Sequence, residues 1–143
     1  MLRIGSLTII GSLALLFACH SARPAQVAPA PSCPAGSQAW VREQLYFGRG
    51  LADGGEISDS AWRVFLEAEV LPRFPDGLTL FDASGQWRNH AGMVVREHTW
   101  VLLVYHPPVE AAERAVVAVA EAYKRAFAQE AVLRDRDMTC ITL

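Results

Sequence analysis

Apolar character peaks over Thr99–His106, where Val101, Leu103 and Tyr105 interleave with Trp100, Leu102 and Val104, so that both faces call for cover. Such a run predicts the central strand of a sheet. Pro107-Pro108 ends it and hands the chain to a helix, with Pro108 in the first turn, where its missing N–H costs nothing. Ala112, Val116, Val119, Ala120, Tyr123 and Phe127 form the buried stripe of that helix, and Glu110–Arg114 and Glu121–Arg125 are i,i+4 pairs on its wet side.

Upstream, Trp40–Arg49 alternates, with Val41, Leu45 and Phe47 on one parity and Arg42, Gln44 and Tyr46 on the other, which predicts a strand with one wetter face. After a Gly-rich turn at Gly50–Gly55, Ser58 and Asp59 open a helix carrying Trp62, Phe65, Leu66 and Val70 at helical spacing, and Pro72 stops it. Pro75-Asp76-Gly77 turns the chain into a strand from Leu78 to Asn89, with Ser84-Gly85 as the place for a bulge. His90-Ala91-Gly92 is the tip of a long hairpin that returns through Met93–Glu97 into the central strand. A tight turn at Ala91-Gly92 sets Trp87 across from Arg96 and Gln86 across from Glu97, with Arg88 diagonal to Glu97. Val132–Leu143 reads as the last strand.

The element order β-α-β-β-α-β predicts an α+β fold of the ferredoxin-like, split β-α-β type. Its antiparallel four-stranded sheet has the order 4-1-3-2, with two helices on one face and a long β2-β3 hairpin.

Ahead of this domain, residues 1–18 have the form of a lipoprotein-type signal peptide: one early charge, Arg3, then an apolar run that closes on Leu16-Phe17-Ala18-Cys19. Cleavage before Cys19 and acylation of that residue hold the protein to a membrane. Residues 19–37, rich in Ala, Pro and Ser, then form a tether, and residues 38–143 a single domain. His20 after the lipidated Cys favours the outer membrane of a Gram-negative cell, with the domain facing the periplasm. In the expected sheet the last strand ends beside the start of the first, which brings Cys140 to Cys33, and an exported chain oxidises such a pair.

Of 143 residues, 13 are basic and 15 acidic, and no basic cluster stands out, which excludes nucleic acid as a partner. The three cysteines are too far apart for a zinc ribbon or a thioredoxin-type site. No G-x-S-x-G elbow, H-E-x-x-H motif or phosphate loop is present, and His98 and His106 stand about 26 Å apart on one strand. Nothing calls for a metal or a cofactor.

At Leu45-Tyr46-Phe47-Gly48-Arg49, Pro72-Arg73-Phe74-Pro75-Asp76-Gly77-Leu78-Thr79, Gly85-Gln86-Trp87-Arg88 and Arg96-Glu97 the chain resembles an exported bacterial family of unknown function, domain of unknown function 3574. The resemblance covers most of Leu45–Leu143. It implies a small exported domain, often with a lipoprotein-type leader, and supplies no activity.

The candidate polar site comprises Tyr46, Arg49, Gln86, Arg88, Arg96 and Glu97. Glu97 suits a general base or acceptor, with the arginines orienting an anionic group. Against that stands a structural reading, in which Arg88–Glu97 is a cross-strand ion pair and Trp87–Arg96 a cation–π pair stiffening the hairpin. No residue set commits to a reaction. The favoured function is therefore a membrane-tethered envelope module that binds another protein or a cell-wall component. Its alternative is a small cofactor-independent oxygenase or isomerase formed when two copies pair through their open sheet faces.

Overall fold

The computed structural model describes residues 32–143. Cys19 and the leader lie outside the described residues. The first strand, β1 (Gln38–Gly48), buries Val41, Glu43, Leu45 and Phe47 completely on one face. Alternation turns Trp40, Arg42, Gln44 and Tyr46 to the other.

Helix α1 (Asp59–Phe65) starts where Ser58 Oγ accepts the Ala61 N–H at 3.2 Å, and it continues into a π-wound turn, Leu66–Val70, closed by the Leu71 N–H on the Leu66 carbonyl. Strands β2 (Thr79–Arg88) and β3 (Val94–His106) form the hairpin. Helix α2 (Glu110–Phe127) begins two residues later than Pro108, because Val109 is still extended and its N–H is turned back onto the Pro107 carbonyl. Glu121 pairs with Lys124 at 3.0 Å rather than with Arg125. Strand β4 (Leu133–Ile141) closes the fold.

The result is an α+β fold, an open antiparallel sheet in the order β2-β3-β1-β4 with two helices. Phe47 locates the core: its ring centroid is 5.3 Å from Trp62 of α1 and 4.6 Å from Tyr123 of α2, so both helices cover the same face of β1. Trp62 stacks on Trp100 of β3 at 4.5 Å, and Leu102 and Val104 extend the buried face. The opposite face carries neither helix. Ala39 of β1 pairs with Cys140 of β4, which sets Cys140 5.5 Å from Cys33 between Cα atoms, in a disulfide.

The hairpin register differs from the expected one. The Asn89 N–H donates to the Met93 carbonyl and Gly92 sits at φ +80°, so the loop is His90-Ala91-Gly92, three residues long with glycine in the left-handed place. One more loop residue shifts the pairing by one and exchanges the faces. Gln86 therefore opposes Arg96, Trp87 opposes Val95 and Gly85 opposes Glu97. No bulge interrupts the ladder at Ser84-Gly85, which runs unbroken from Thr79↔Leu103 to Arg88↔Val94. Trp87 and Glu97 thus share one face, whereas Gln86, Arg88 and Arg96 share the other.

A cavity at the end of the open face

The ladder between β1 and β3 ends at Gly48↔Thr99, so the hairpin beyond it pairs only with itself and is free to curl. It bends back over the open face until His90 meets Glu130 in the connection between α2 and β4, through a backbone N–H at 3.3 Å and a ring-to-carboxylate contact. β2 and β4 are opposite edges of the sheet, so this contact spans its whole width. Beneath it lies a cavity of about 500 Å³ that all four strands line, with Tyr46, Gly48, Trp87, Glu97, Thr99 and Leu133 among its walls and Gln129 and Val132 closing one side.

Glu97 is the acidic group of this cavity. Its Oε1 accepts the Trp87 indole N–H at 2.6 Å and its Oε2 the Gly50 N–H at 3.0 Å. Both donors are neutral, and among the described residues no Arg, Lys or His nitrogen pairs with the carboxylate. Gly48 makes room for it: a Cβ there would lie 2.5 Å from Oε1. Gly85 likewise leaves space for Thr99, whose Oγ1 would be 2.9 Å from an added Cβ.

The backbone around Gly48–Gly50 is tied down from the core side. Tyr123 donates its hydroxyl to the Gly48 carbonyl at 2.9 Å, and Gln129 Nε2 donates to the Gly50 carbonyl at 2.7 Å. Burial, reinforced by the negative charge of Glu97, pushes the Tyr123 phenol well above the usual tyrosine range.

The polar residues expected to form one site are split. Tyr46 stands in the cavity, opposite Val101 and Leu133. Arg49 is elsewhere, with its guanidinium 4.1 Å from the Trp100 ring and bonded to Asp59 at 2.8 Å and to the Ile57 carbonyl. Arg96 donates to Gln86 Oε1 at 3.2 Å and Arg88 to the Gly92 carbonyl at 2.6 Å, both on the hairpin face turned away from Glu97. The expected Arg88–Glu97 ion pair and Trp87–Arg96 cation–π pair are both absent, because the register separates their members. Glu97 partners Trp87 instead.

Under α2 lies a second polar cluster that sequence reasoning missed. Glu43, fully buried at the centre of β1, receives Nε of Arg134 at 2.7 Å as well as its Nη2, and Arg134 is also bidentate to Glu113 at 2.6 and 2.7 Å. Arg136 Nε is 3.4 Å from Glu43, and the buried His106 bonds through Nδ1 to the Pro107 carbonyl while Nε2 stands 3.7 Å from Glu43 without a hydrogen bond. The hydrogen bonds of Arg134 hold the Glu113 carboxyl below its ordinary value, partly countered by burial, and the two carboxylates in turn push Arg134 up. The signal was present: Glu43 falls on the parity of Val41, Leu45 and Phe47, and a charge at a core position calls for a buried partner. Among the described residues no cluster of His, Cys, Asp and Glu is placed to hold a metal ion.

The fold and cavity define a small α+β domain whose open sheet face ends in a half-enclosed, acidic, aromatic-walled pocket. The chain belongs to the family described as protein of unknown function, DUF3574, whose model matches residues 42–143. No curated protein matches it. Among solved structures it is similar to a phage SAM lyase in complex with S-methyl-5'-thioadenosine, at 14% identity and TM-score 0.58, over 79% of this chain and 95% of that one. A phage SAM lyase in the apo state matches at 15% identity and TM-score 0.53, over 80% of this chain and 97% of that one. At such identities the likeness is one of fold.

Proposed function

We propose that this protein is a binding domain of the cell envelope, held to a membrane through a lipid on Cys19, and that it takes a small organic molecule in the Glu97 cavity. In this reading the sheet is the ferredoxin-like, split β-α-β arrangement, with its helix-free face given over to the ligand. The observation that carries it is the placement of Glu97: Gly48 leaves space for it, Trp87 and Gly50 orient the carboxylate, and the cavity beside it has the volume of an ordinary small-molecule site. A carboxylate serving only to solubilise a hairpin needs none of these. The likeness to a fold that holds a small molecule in the phage lyase supports the reading, as does the disulfide, which suits an oxidising compartment.

Native mass spectrometry of the full-length protein recovered from membranes tests it. A bound small molecule that Glu97→Gln releases from a folded protein supports the site, and a bare protein in both forms counts against it. Acyl labelling that Cys19→Ala abolishes supports the anchor.

A second reading is an enzyme, oxygenase, isomerase or lyase in type, formed when two open faces pair. Phe81 and Tyr105 favour it, since both are more than two-fifths exposed on that face. A dimer in the same spectrum supports it, and a monomer opposes it.

A further inference from the structure

We infer that the ligand of the Glu97 cavity is an organic cation with an apolar body, bound with its positive group against the carboxylate; this rests on the binding reading above. The charge of the walls points there. Among the described residues Arg134 is the only cation lining the cavity, and its guanidinium is spent on Glu43 and Glu113, so it neutralises neither Glu97 nor an incoming anion. In this half-enclosed site the Glu97 carboxylate has, among the described residues, only the neutral Trp87 and Gly50 N–H groups as partners.

The hydrogen-bond inventory points the same way. The indole N–H and the Gly50 N–H are both consumed by Glu97, and the Gln129 amide nitrogen by the carbonyls of Gly50 and Phe127. Each Glu97 oxygen retains a second acceptor position, and among the described residues nothing donates to the Gln129 carbonyl oxygen. Apart from the hydroxyls of Tyr46 and Thr99, which can donate or accept, the groups left for a ligand are acceptors, together with the rings of Tyr46 and Trp87, whose faces attract a cation. An anion would meet one carboxylate and no free charge to offset it. A cation replaces the water lost from Glu97 and satisfies the open lone pairs.

Three probes of nearly one shape separate the charge from the cavity: phenethylamine, 2-phenylethanol and phenylacetate, each titrated into the full-length protein while the Trp87 indole N–H signal is followed by NMR. The signal is assigned through Trp87→Phe. Phenethylamine is expected to shift it and to bind at least about tenfold more tightly than phenylacetate, equivalent to about 1.4 kcal/mol. In Glu97→Gln, which keeps one acceptor oxygen for Trp87, that preference falls below about twofold. Should that variant fail to fold, raising the salt concentration on the native protein is expected to weaken phenethylamine and leave 2-phenylethanol unchanged. Equal or tighter binding of phenylacetate overturns the cation inference while leaving the site standing. No shift with any of the three overturns the site together with the inference.

Discussion

Gly48 and Glu97 compete for one position: a Cβ on the glycine would fall 2.5 Å from Glu97 Oε1, so the carboxylate reaches the Trp87 and Gly50 N–H groups only because residue 48 has no side chain. The backbone at Gly48 is ordinary strand, which makes the requirement one of space and not of conformation.

Gly48→Ala is therefore expected to fold and to expel the carboxylate from its two hydrogen bonds. Loss of those bonds costs about 1–2 kcal/mol. Chemical denaturation reads that cost, and the Trp87 indole N–H signal moves toward its free position. An unmoved indole signal would show that Glu97 keeps its place and that the space argument is wrong.

Tyr123→Phe removes the hydroxyl that satisfies the Gly48 carbonyl beneath the cavity. A loss of about 1 kcal/mol is expected. The native phenol is raised by burial first and by Glu97 second, so the folded protein holds its proton more tightly than the unfolded chain. Its contribution is complete below the ordinary tyrosine value near 10 and declines as the pH rises above it. In an ultraviolet titration the Tyr123 phenol, identified by comparison with Tyr123→Phe, should ionise only with alkaline unfolding. Its ionisation in a native protein would contradict the buried hydrogen bond.

The cluster under α2 yields two different mutants. Arg134→Met leaves Glu43 fully buried with only the longer contacts to Arg136 and His106, and is expected to cost about 3–5 kcal/mol. Glu113→Gln is milder and acts on pH dependence. Because Arg134 holds the Glu113 carboxyl below its ordinary 4.5, this group stabilises fully above that value, and its contribution is lost as the pH falls through the lowered one. Thermal melts of Glu113→Gln between pH 6 and pH 3 should accordingly decline less steeply than those of the native protein.

Reduction of Cys33–Cys140 opens a loop of 107 residues. In the chain-entropy model a loop of about 100 residues corresponds to roughly 4–5 kcal/mol, and engineered or native bridges commonly deliver 2–4. Equilibrium denaturation with and without reductant should show a loss in that range, with the fold retained at room temperature. An unchanged denaturation midpoint would mean that the bridge is not formed in the purified protein.

Much of the architecture was legible because it depends on periods in the chain. The parity of Val41, Leu45 and Phe47, the helical spacing of Trp62, Phe65 and Val70, the stop at Pro72 and the cap at Ser58 each act within a few residues, and each appears in the structure. The pairing of Cys33 with Cys140 followed from the element order, since a last strand lying beside the first leaves its end near that strand's beginning.

The site was legible only in part. Tyr46, Gln86 and Glu97 all border the cavity, yet the hairpin partners of Gln86 and Glu97 were misassigned because a single loop residue changes the hairpin face. Glycine in the left-handed position at residue 92 completes a three-residue loop, and the chemistry of Ala91-Gly92 alone does not distinguish that loop from a tighter one. Arg49 looked like a neighbour of Tyr46 from three residues away, but the twist after β1 sends it over Trp100.

What the sequence determined by itself is therefore what local sterics and burial periodicity control: the kind and order of the elements, the faces that β1, α1 and α2 bury, and the glycines among them. What only the tertiary structure decided is which charged groups meet. Glu43 finds Arg134 across 91 residues, and Glu97 finds Gly50 across 47. Such contacts depend on register and on the curl of a hairpin free of its neighbouring strand, and these are set by the whole sheet and not by any stretch of chain within it.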